Sequence, residues 1–230
     1  MNRTPRTARG TATRVRILEA AETVFAKVGY TEASIVRITE QAGVGQGTFY
    51  LYFESKLQVF EELVEDLNRR VRHSMSEAVA RGTTRLEAER LGFKGFFEFT
   101  AKHPALYRII REAESVSPRA LRRHYTRIVD GYIDGLRKAR GAGEISSIDP
   151  TVTAWMLMGI GEMIGMRWVL WGNDAIEGDG SDPSASGTSE VPAAVFDEMM
   201  RFIQGGLGVP AATAGVAAIG SVLNDREEIK

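Results

Sequence analysis

The sequence contains no cysteine. That excludes disulfide bonds, thiolate nucleophiles and cysteine-ligated metals, and it suits a reducing compartment. Histidine is almost as scarce: His73, His103 and His124 stand singly, without the H-x-x-x-H spacing that places two imidazoles on one helix face. His103, beside Pro104, reads as a helix-start residue. Asp130 and Asp134 share a helix face with Arg127 and Arg137 nearby, a solvated or interface pattern. With no nucleophile elbow and no cluster of acids, bases or metal ligands, neither an enzyme nor a bound cofactor is expected. Period-two alternation is also missing, so no strand is expected. The most apolar segment, TVTAWMLMGIGEMIGMRWVLW, is interrupted by Glu162 and Arg167 and reads as a buried helix, with no membrane involvement. The first sixteen residues hold five arginines and no apolar run of the leader type, so a cytoplasmic protein is expected.

Charge is present but unevenly placed. The net charge is −1, yet residues 1–56 carry eight Lys/Arg against five Glu. A basic end on a mildly acidic body directs any polyanionic partner to the N-terminal region. Arg3, Arg6 and Arg9 form either a solubilising tail or an arm that follows phosphates or enters a minor groove.

The apolar spacing is helical throughout. RVRILEAAETVFAKVGY places Ile17, Leu18, Ala21, Val24, Phe25 and Val28 on one face, and Gly29 ends that helix. Ser34 is placed to cap a short helix through Ala42, which Gly43 closes in the left-handed conformation. A second short helix follows from Gln46 to Tyr52. Ser55, with Gln58 as capping-box partner, opens a long one whose seam is Leu57, Phe60, Leu63 or Val64, Leu67, Val71 and Met75. Gly82 breaks it. Further helices are expected at 84–102, 104–114, 118–140, 150–171 and 192–206. The acidic Gly/Ser/Pro stretch 172–190 reads as a mobile loop, and residues 211–230 as a frayed tail.

The segment GVGQGTFYLYFESK is rich enough in glycine to suggest a phosphate-cradling loop. Such a loop follows a strand, with G-x-G-x-x-G or Walker spacing. Here a helix precedes Gly43, Gly45 and Gly47, and the spacing fits neither pattern. Gly159, Gly161 and Gly165 fail it too, and lie inside a helix. Two short helices joined by a glycine turn instead describe a helix-turn-helix, whose second helix enters the major groove. Gly43 and Gly45 make the turn and Gly47 clears the helix start. Thr48, Tyr50, Tyr52 and Lys56 supply groups that bind phosphates or base edges, while Phe49 and Phe53 are core residues.

Residues 13–60 resemble the DNA-binding domain of TetR-family transcriptional repressors. The likeness rests on ILEAAETVFAKVGY, a T-x-x-S-I-x-x-I-x-x-x-A-G-V segment, G-T-F-Y-x-Y-F-x-S-K and a long fourth helix. It implies an all-α fold, with an N-terminal three-helix DNA-binding domain and a C-terminal helical domain for ligand binding and dimerisation. The expected divisions are 1–56 for the basic arm and DNA-binding domain, 57–82 for a connecting helix, 83–210 for the effector and dimer domain, and 211–230 for the tail. It further implies a homodimer on palindromic double-stranded operator DNA, released by a small molecule. On this resemblance Gln46 and Gly47 face bases, and Tyr50 and Tyr52 contact bases or phosphates. Thr31, Ser34, Thr48 and Lys56 hold phosphates, with Arg37 and Gly45 also in the DNA-binding set. Gly45 and Gln46 stand where many relatives carry a hydroxyl or a base, so base reading falls on Gln46, which suits adenine.

The C-terminal half is rich in aromatics and methionine. The expected cavity residues are Phe96, Phe97, Phe99, Tyr107, Tyr125, Trp155, Met158, Glu162 and Met166. Gly161, Gly165, Trp168, Phe196, Met199 and Phe202 are the expected dimer contacts. The expected effector is hydrophobic and of acidic type: an acyl-thioester, a fatty acid or an aromatic acid. Arg108 and Arg111 either neutralise it or face water. A constitutive DNA-binding regulator with no effector is the alternative, and a filled core would favour it.

Overall fold

The computed structural model describes residues 7–171 and 190–208. Arg3, Arg6, residues 172–189 of the acidic stretch and the tail 211–230 lie outside them. Among the described residues every regular element is helical. They are α1 (Ala8–Glu32), α2 (Ile35–Ala42), α3 (Gln46–Tyr52), α4 (Lys56–Val79), α5 (Arg85–Lys102), α6 (Ala105–Val116), α7 (Pro118–Gly141), α8 (Pro150–Gly165) and α9 (Ala193–Leu207). A π-helical turn, Met166–Leu170, extends α8. Among the described residues no helix is long and apolar enough to cross a membrane.

The caps explain most boundaries. Thr7 accepts the Gly10 amide at 3.1 Å and starts α1 ahead of the apolar stripe, so Arg9 lies on a helix and not in an extended arm. Gly29, at φ 77°, breaks α1 where the periodicity ends. Ser34 accepts the Arg37 amide at 3.2 Å, and Ser55 accepts the Gln58 amide at 3.1 Å. The return bond of the expected capping box goes one residue further, from the Glu54 amide to Gln58 Oε1 at 2.6 Å. Along α4, Val59 is fully buried while Leu57 is 40% exposed, so the seam begins at Val59. From Phe60 onward it runs as expected.

Two apolar cores result. The first joins α1, α2 and α3 to α4 and continues into Leu106, Ile109, Ile110 and Ala113 of α6. At its centre Phe60 meets Phe25 edge-on at 5.3 Å and Tyr30 at 5.1 Å. Each such pair adds about 0.5–1.5 kcal/mol beyond area burial. The second core gathers Phe93 and Phe97 of α5, Leu136 of α7, Leu157 of α8 and Met199, Met200 and Ile203 of α9. Phe96 packs against both. The helices expected to bind DNA are therefore continuous, through α4 and α6, with the body that could hold a ligand.

Candidate functional site

The turn between α2 and α3 is closed by backbone alone. Gly43 adopts φ 62°, ψ 41°, its amide donates to Glu40 O at 3.1 Å, and the Val44 amide reaches Thr39 O at 3.0 Å. This paired arrangement terminates a helix and favours glycine at the left-handed position. Gly45 and Gly47 differ: their φ is not positive, and a Cβ built on either meets no protein atom within 4 Å. Neither the backbone nor the packing of the chain requires glycine there.

Phe49 and Phe53, at 0% and 1% exposure, set the rotation of α3. Gln46 and Gly47 then face solvent, as does Tyr50, 49% exposed, while Thr48 and Tyr52 are half-buried. Leu51 is 59% exposed on the same helix and had not been expected there. Its position two residues past buried Phe49 places it on the outer side of the helix. Thr31 and Arg37 are exposed, and Arg37 Nη1 donates to Glu32 O at 3.2 Å. Ser34 is half-buried with its oxygen used as a cap.

Lys56 is placed differently from the expectation. Its ammonium donates to Tyr30 O at 2.7 Å, Ala33 O at 2.8 Å and Thr31 O at 3.3 Å, and lies 4.3 Å from the Tyr30 ring centroid. An ammonium has three protons. They are used on the carbonyls between α1 and α2, so Lys56 fixes the presentation of α2 and has no proton left for a phosphate.

Behind these helices a cavity of about 60 Å³, open to the centre of a water-sized sphere, lies among α4 to α8. At about 10–15 Å³ for one such sphere, it is larger than a single water site. Of the residues named from the sequence, Phe96, Tyr107, Tyr125, Met158 and Glu162 line it, joined by Met75, Phe93, Leu106, Ile110, His124, Ile128, Tyr132, Leu157 and Gly161. Phe97, Phe99, Trp155 and Met166 do not. Phe97 packs against Phe93 and Phe196, and Phe99 against His103. Trp155 is 46% exposed, and Met166 sulfur takes a contact from Arg111 at 3.8 Å. Helical periodicity identifies an apolar side but not which of two cores it meets.

The polar groups in the cavity are few. Tyr125 donates to Glu162 Oε1 at 2.8 Å, whereas the buried Tyr107 hydroxyl has no partner. His124 is held by Asn68: the amide Nδ2 donates to His124 Nδ1 at 3.1 Å and to its carbonyl at 3.0 Å, and Arg72 Nε donates to Asn68 Oδ1 at 2.9 Å. Nδ1 is thus the acceptor and Nε2 carries the proton. Burial, with Arg72 adding to it, pushes the imidazole down to about 4.

Cavity and DNA-binding helices share two mechanical links. On α6, Leu106, Tyr107 and Ile110 line the cavity, while Arg108 and Glu112 grip the end of α1. Arg108 Nη1 donates to Ala26 O at 2.6 Å, and Glu112 Oε2 accepts the Tyr30 amide at 2.8 Å. A Cβ at Gly29 would stand 2.5 Å from Glu112 Oε1. Arg108 is therefore engaged with α1, and neither it nor Arg111 lines the cavity; of the two alternatives read from the sequence, both side chains are on the exposed side. The second link is an ion-pair ladder between α4 and α7. Ser117 and Arg119 bond Glu61, and Arg123 and Arg127 pair with Glu65.

The expected dimer contacts separate into two groups. Gly161 and Gly165 face inward: a Cβ on Gly161 would be 2.8 Å from the Phe93 ring, and one on Gly165 would collide with the Tyr107 hydroxyl. Met199 is buried in the second core. Phe196 is half-buried against Phe97, with Arg90 5.1 Å from its ring centroid. Trp168 is half-buried and Phe202 is 71% exposed. On α8, Val152, Met156 and Met163 are 52%, 62% and 56% exposed at helical spacing, beside Trp155. That outer face lies apart from the inward glycines, and the i, i+4 spacing of Val152 and Met156 is its signal in the sequence.

Residues 17–63 match the family of bacterial regulatory proteins described as the tetR family. An uncharacterised HTH-type transcriptional regulator of Bacillus subtilis, YdgC, is 42% identical over 64 residues, which is 28% of this chain and 33% of that protein. The fatty acid metabolism regulator protein of the same organism is 29% identical over 161 residues, covering 62% of this chain and 83% of the relative. The fold is similar to that of the B. subtilis transcriptional regulator FadR in complex with stearoyl-CoA, with TM-score 0.65, 22% identity and coverage of 82% and 96%. The match falls on the helices whose open glycines and solvent-facing α3 were described above, and over residues 17–63 the chain is of the tetR family of bacterial regulatory proteins.

Proposed function

We propose that the protein is a repressor that binds a palindromic operator as a homodimer and is released when a small hydrophobic molecule fills the cavity among α4 to α8. The observation that carries this reading is the double use of α6, whose Tyr107 and Ile110 line the cavity while Arg108 and Glu112 hold the end of α1. A ligand that displaces α6 must also displace the α1–α2 junction. Only a ligand that favours the domain spacing mismatched to the operator shifts the population off DNA.

In this reading Gln46 and Gly47 meet bases, with Tyr50 and Leu51 beside them. Thr31, Ser34, Arg37 and Thr48 supply phosphate contacts, Gly45 permits close approach, and Tyr52 supports the helix. The apolar outer face of α8, with Phe202, forms the two-fold contact, which fixes half-site spacing on the operator. The protein acts on DNA in the cytoplasm. The stearoyl-CoA held by the similarly folded FadR supports a hydrophobic effector. A constitutive regulator is less favoured because the body contains a cavity where that reading expects a filled core.

Native mass spectrometry of the purified full chain tests the reading directly. The expected spectrum shows a dimer, with extra mass that is lost when operator duplex is added. A monomer, or a dimer that carries ligand and DNA together, would overturn it.

A further inference from the structure

The polar end of the cavity has a definite chemistry. Glu162 is the one charged side chain lining it, and among the described residues no lysine or arginine does so. The Tyr125 hydroxyl is committed to Glu162 Oε1, which leaves the other carboxylate oxygen able to accept. Tyr107 is 5% exposed, and its hydroxyl has no hydrogen-bond partner. Thr100, close by, gives its own proton to Phe97 O at 3.1 Å. Burial first, and Glu162 in the same direction, push both phenols above their ordinary range, so both remain protonated. The Tyr107 hydroxyl lies within the wall, against Gly165, so the cavity offers one charged acceptor, the open carboxylate oxygen of Glu162, in an otherwise apolar space. The ring of Phe96 lies 6.4 Å from that of Tyr107, and with Phe93 it supplies π-faces that favour a cation. A carboxylate ligand would bring a second negative charge beside Glu162 without any cation to meet it.

We propose that the cavity selects an apolar molecule whose polar end is a hydrogen-bond donor, an amine or a hydroxyl, seated against Glu162, and that it rejects carboxylic acids with the same apolar body. The proposal rests on the effector reading above and names the chemical class of that effector. The donor satisfies the open oxygen of Glu162. A protonated amine gains from the carboxylate as well, whereas an alcohol uses hydrogen bonding alone.

The test compares octylamine, octanol, octanoate and octanoyl-CoA on the full-length protein. Calorimetry reads binding, and fluorescence anisotropy reads release of a duplex selected for tight binding from a random pool. Octylamine and octanol are expected to bind and octanoate to fail. Glu162→Gln should weaken octylamine about tenfold or more and octanol less, as expected for loss of a charge-assisted hydrogen bond. Tyr107→Phe, which removes a hydroxyl that the cavity does not expose, should leave the order of affinities unchanged, and circular dichroism of the two variants checks that they fold. A larger effect of Glu162→Gln on octylamine than on octanol identifies charge as the recognised feature, and equal effects identify the donor. Binding of octanoate or octanoyl-CoA as tight as that of octylamine overturns the proposal while leaving the effector reading intact. Failure of all four to bind also overturns it. Octylamine binding without release of DNA upholds the cavity chemistry and overturns the effector reading.

Discussion

Glycine is used in opposite ways at the two ends of this molecule. In the turn and helix start of the DNA-binding motif, a Cβ on Gly43, Gly45 or Gly47 would meet nothing within 4 Å. In α8, a Cβ on Gly161 would press on Phe93, and one on Gly165 would run into Tyr107. The first set faces open space, with glycine demanded by the backbone only at Gly43. The second set lets α8 approach α5 and α6 closely enough to close one wall of the cavity. The same residue type thus marks an external surface in one region and an internal contact in the other, and the chain alone does not say which. Polar groups follow the same division: Gln46 and Tyr50 of α3 stand in solvent, whereas those of the cavity are few and buried or half-buried.

The largest expected effect belongs to the cavity end. His124 is held neutral, its pKa lowered to about 4 from an unperturbed 6.5. The unfolded chain therefore binds the proton more tightly, so this contribution to stability is complete above about pH 6.5 and is lost as pH falls toward 4. Its size is about 3 kcal/mol, at 1.36 kcal/mol per pKa unit. Urea unfolding at pH 7 and pH 4 checks it: the stability gap between the wild type and His124→Gln should narrow by that amount at the lower pH. A constant gap would show that His124 is not the proton-sensitive group.

Gly165→Ala sharpens the contrast between the glycines. It should cost about 2 kcal/mol, the range for overpacking a closed site, and leave the intrinsic affinity of α3 for DNA alone. An unchanged urea midpoint would mean that Tyr107 yields freely and that the inward set is not constrained by packing. Gln46→Ala should lower discrimination between cognate and scrambled duplexes about tenfold, the value of a bidentate base contact, with no change in melting temperature. Equal losses on both duplexes would move base reading to other residues of α3.

Gly47→Ala is the smallest perturbation of the fold. An added methyl group meets no protein atom and improves helix propensity, so stability should rise by about 0.5–1 kcal/mol while affinity for the cognate duplex falls. A rise in stability with unaltered DNA binding would remove the argument that the outward glycines face a partner.

The helix boundaries were legible because they depend on neighbours in sequence. Ser34, Gly43 and Ser55 cap or close their own turns, and Phe49 and Phe53 point inward because they lie at helical spacing in a short amphipathic segment. Lys56 shows where such reading ends. Its position in the motif suggested a phosphate ligand, but its protons are used by carbonyls more than twenty residues earlier in the chain, a contact that no local pattern encodes. Arg108 is similar, since its partners are carbonyls of α1. The cavity was half legible: aromatic content pointed to α5 through α8, but the division of Phe96, Phe97 and Phe99 among two cores depended on which helix stood opposite.

By itself, the sequence determined the all-helical class, the helix ends and the helix-turn-helix, because helical periodicity, capping and left-handed glycine are set within a few residues. Only the tertiary structure decided which glycines face a neighbour, which cations remain free and which polar groups share the cavity. Those outcomes depend on side chains brought together from distant helices, where burial removes water and leaves each polar group either paired, as with Glu162 and Tyr125, or unpaired, as with Tyr107.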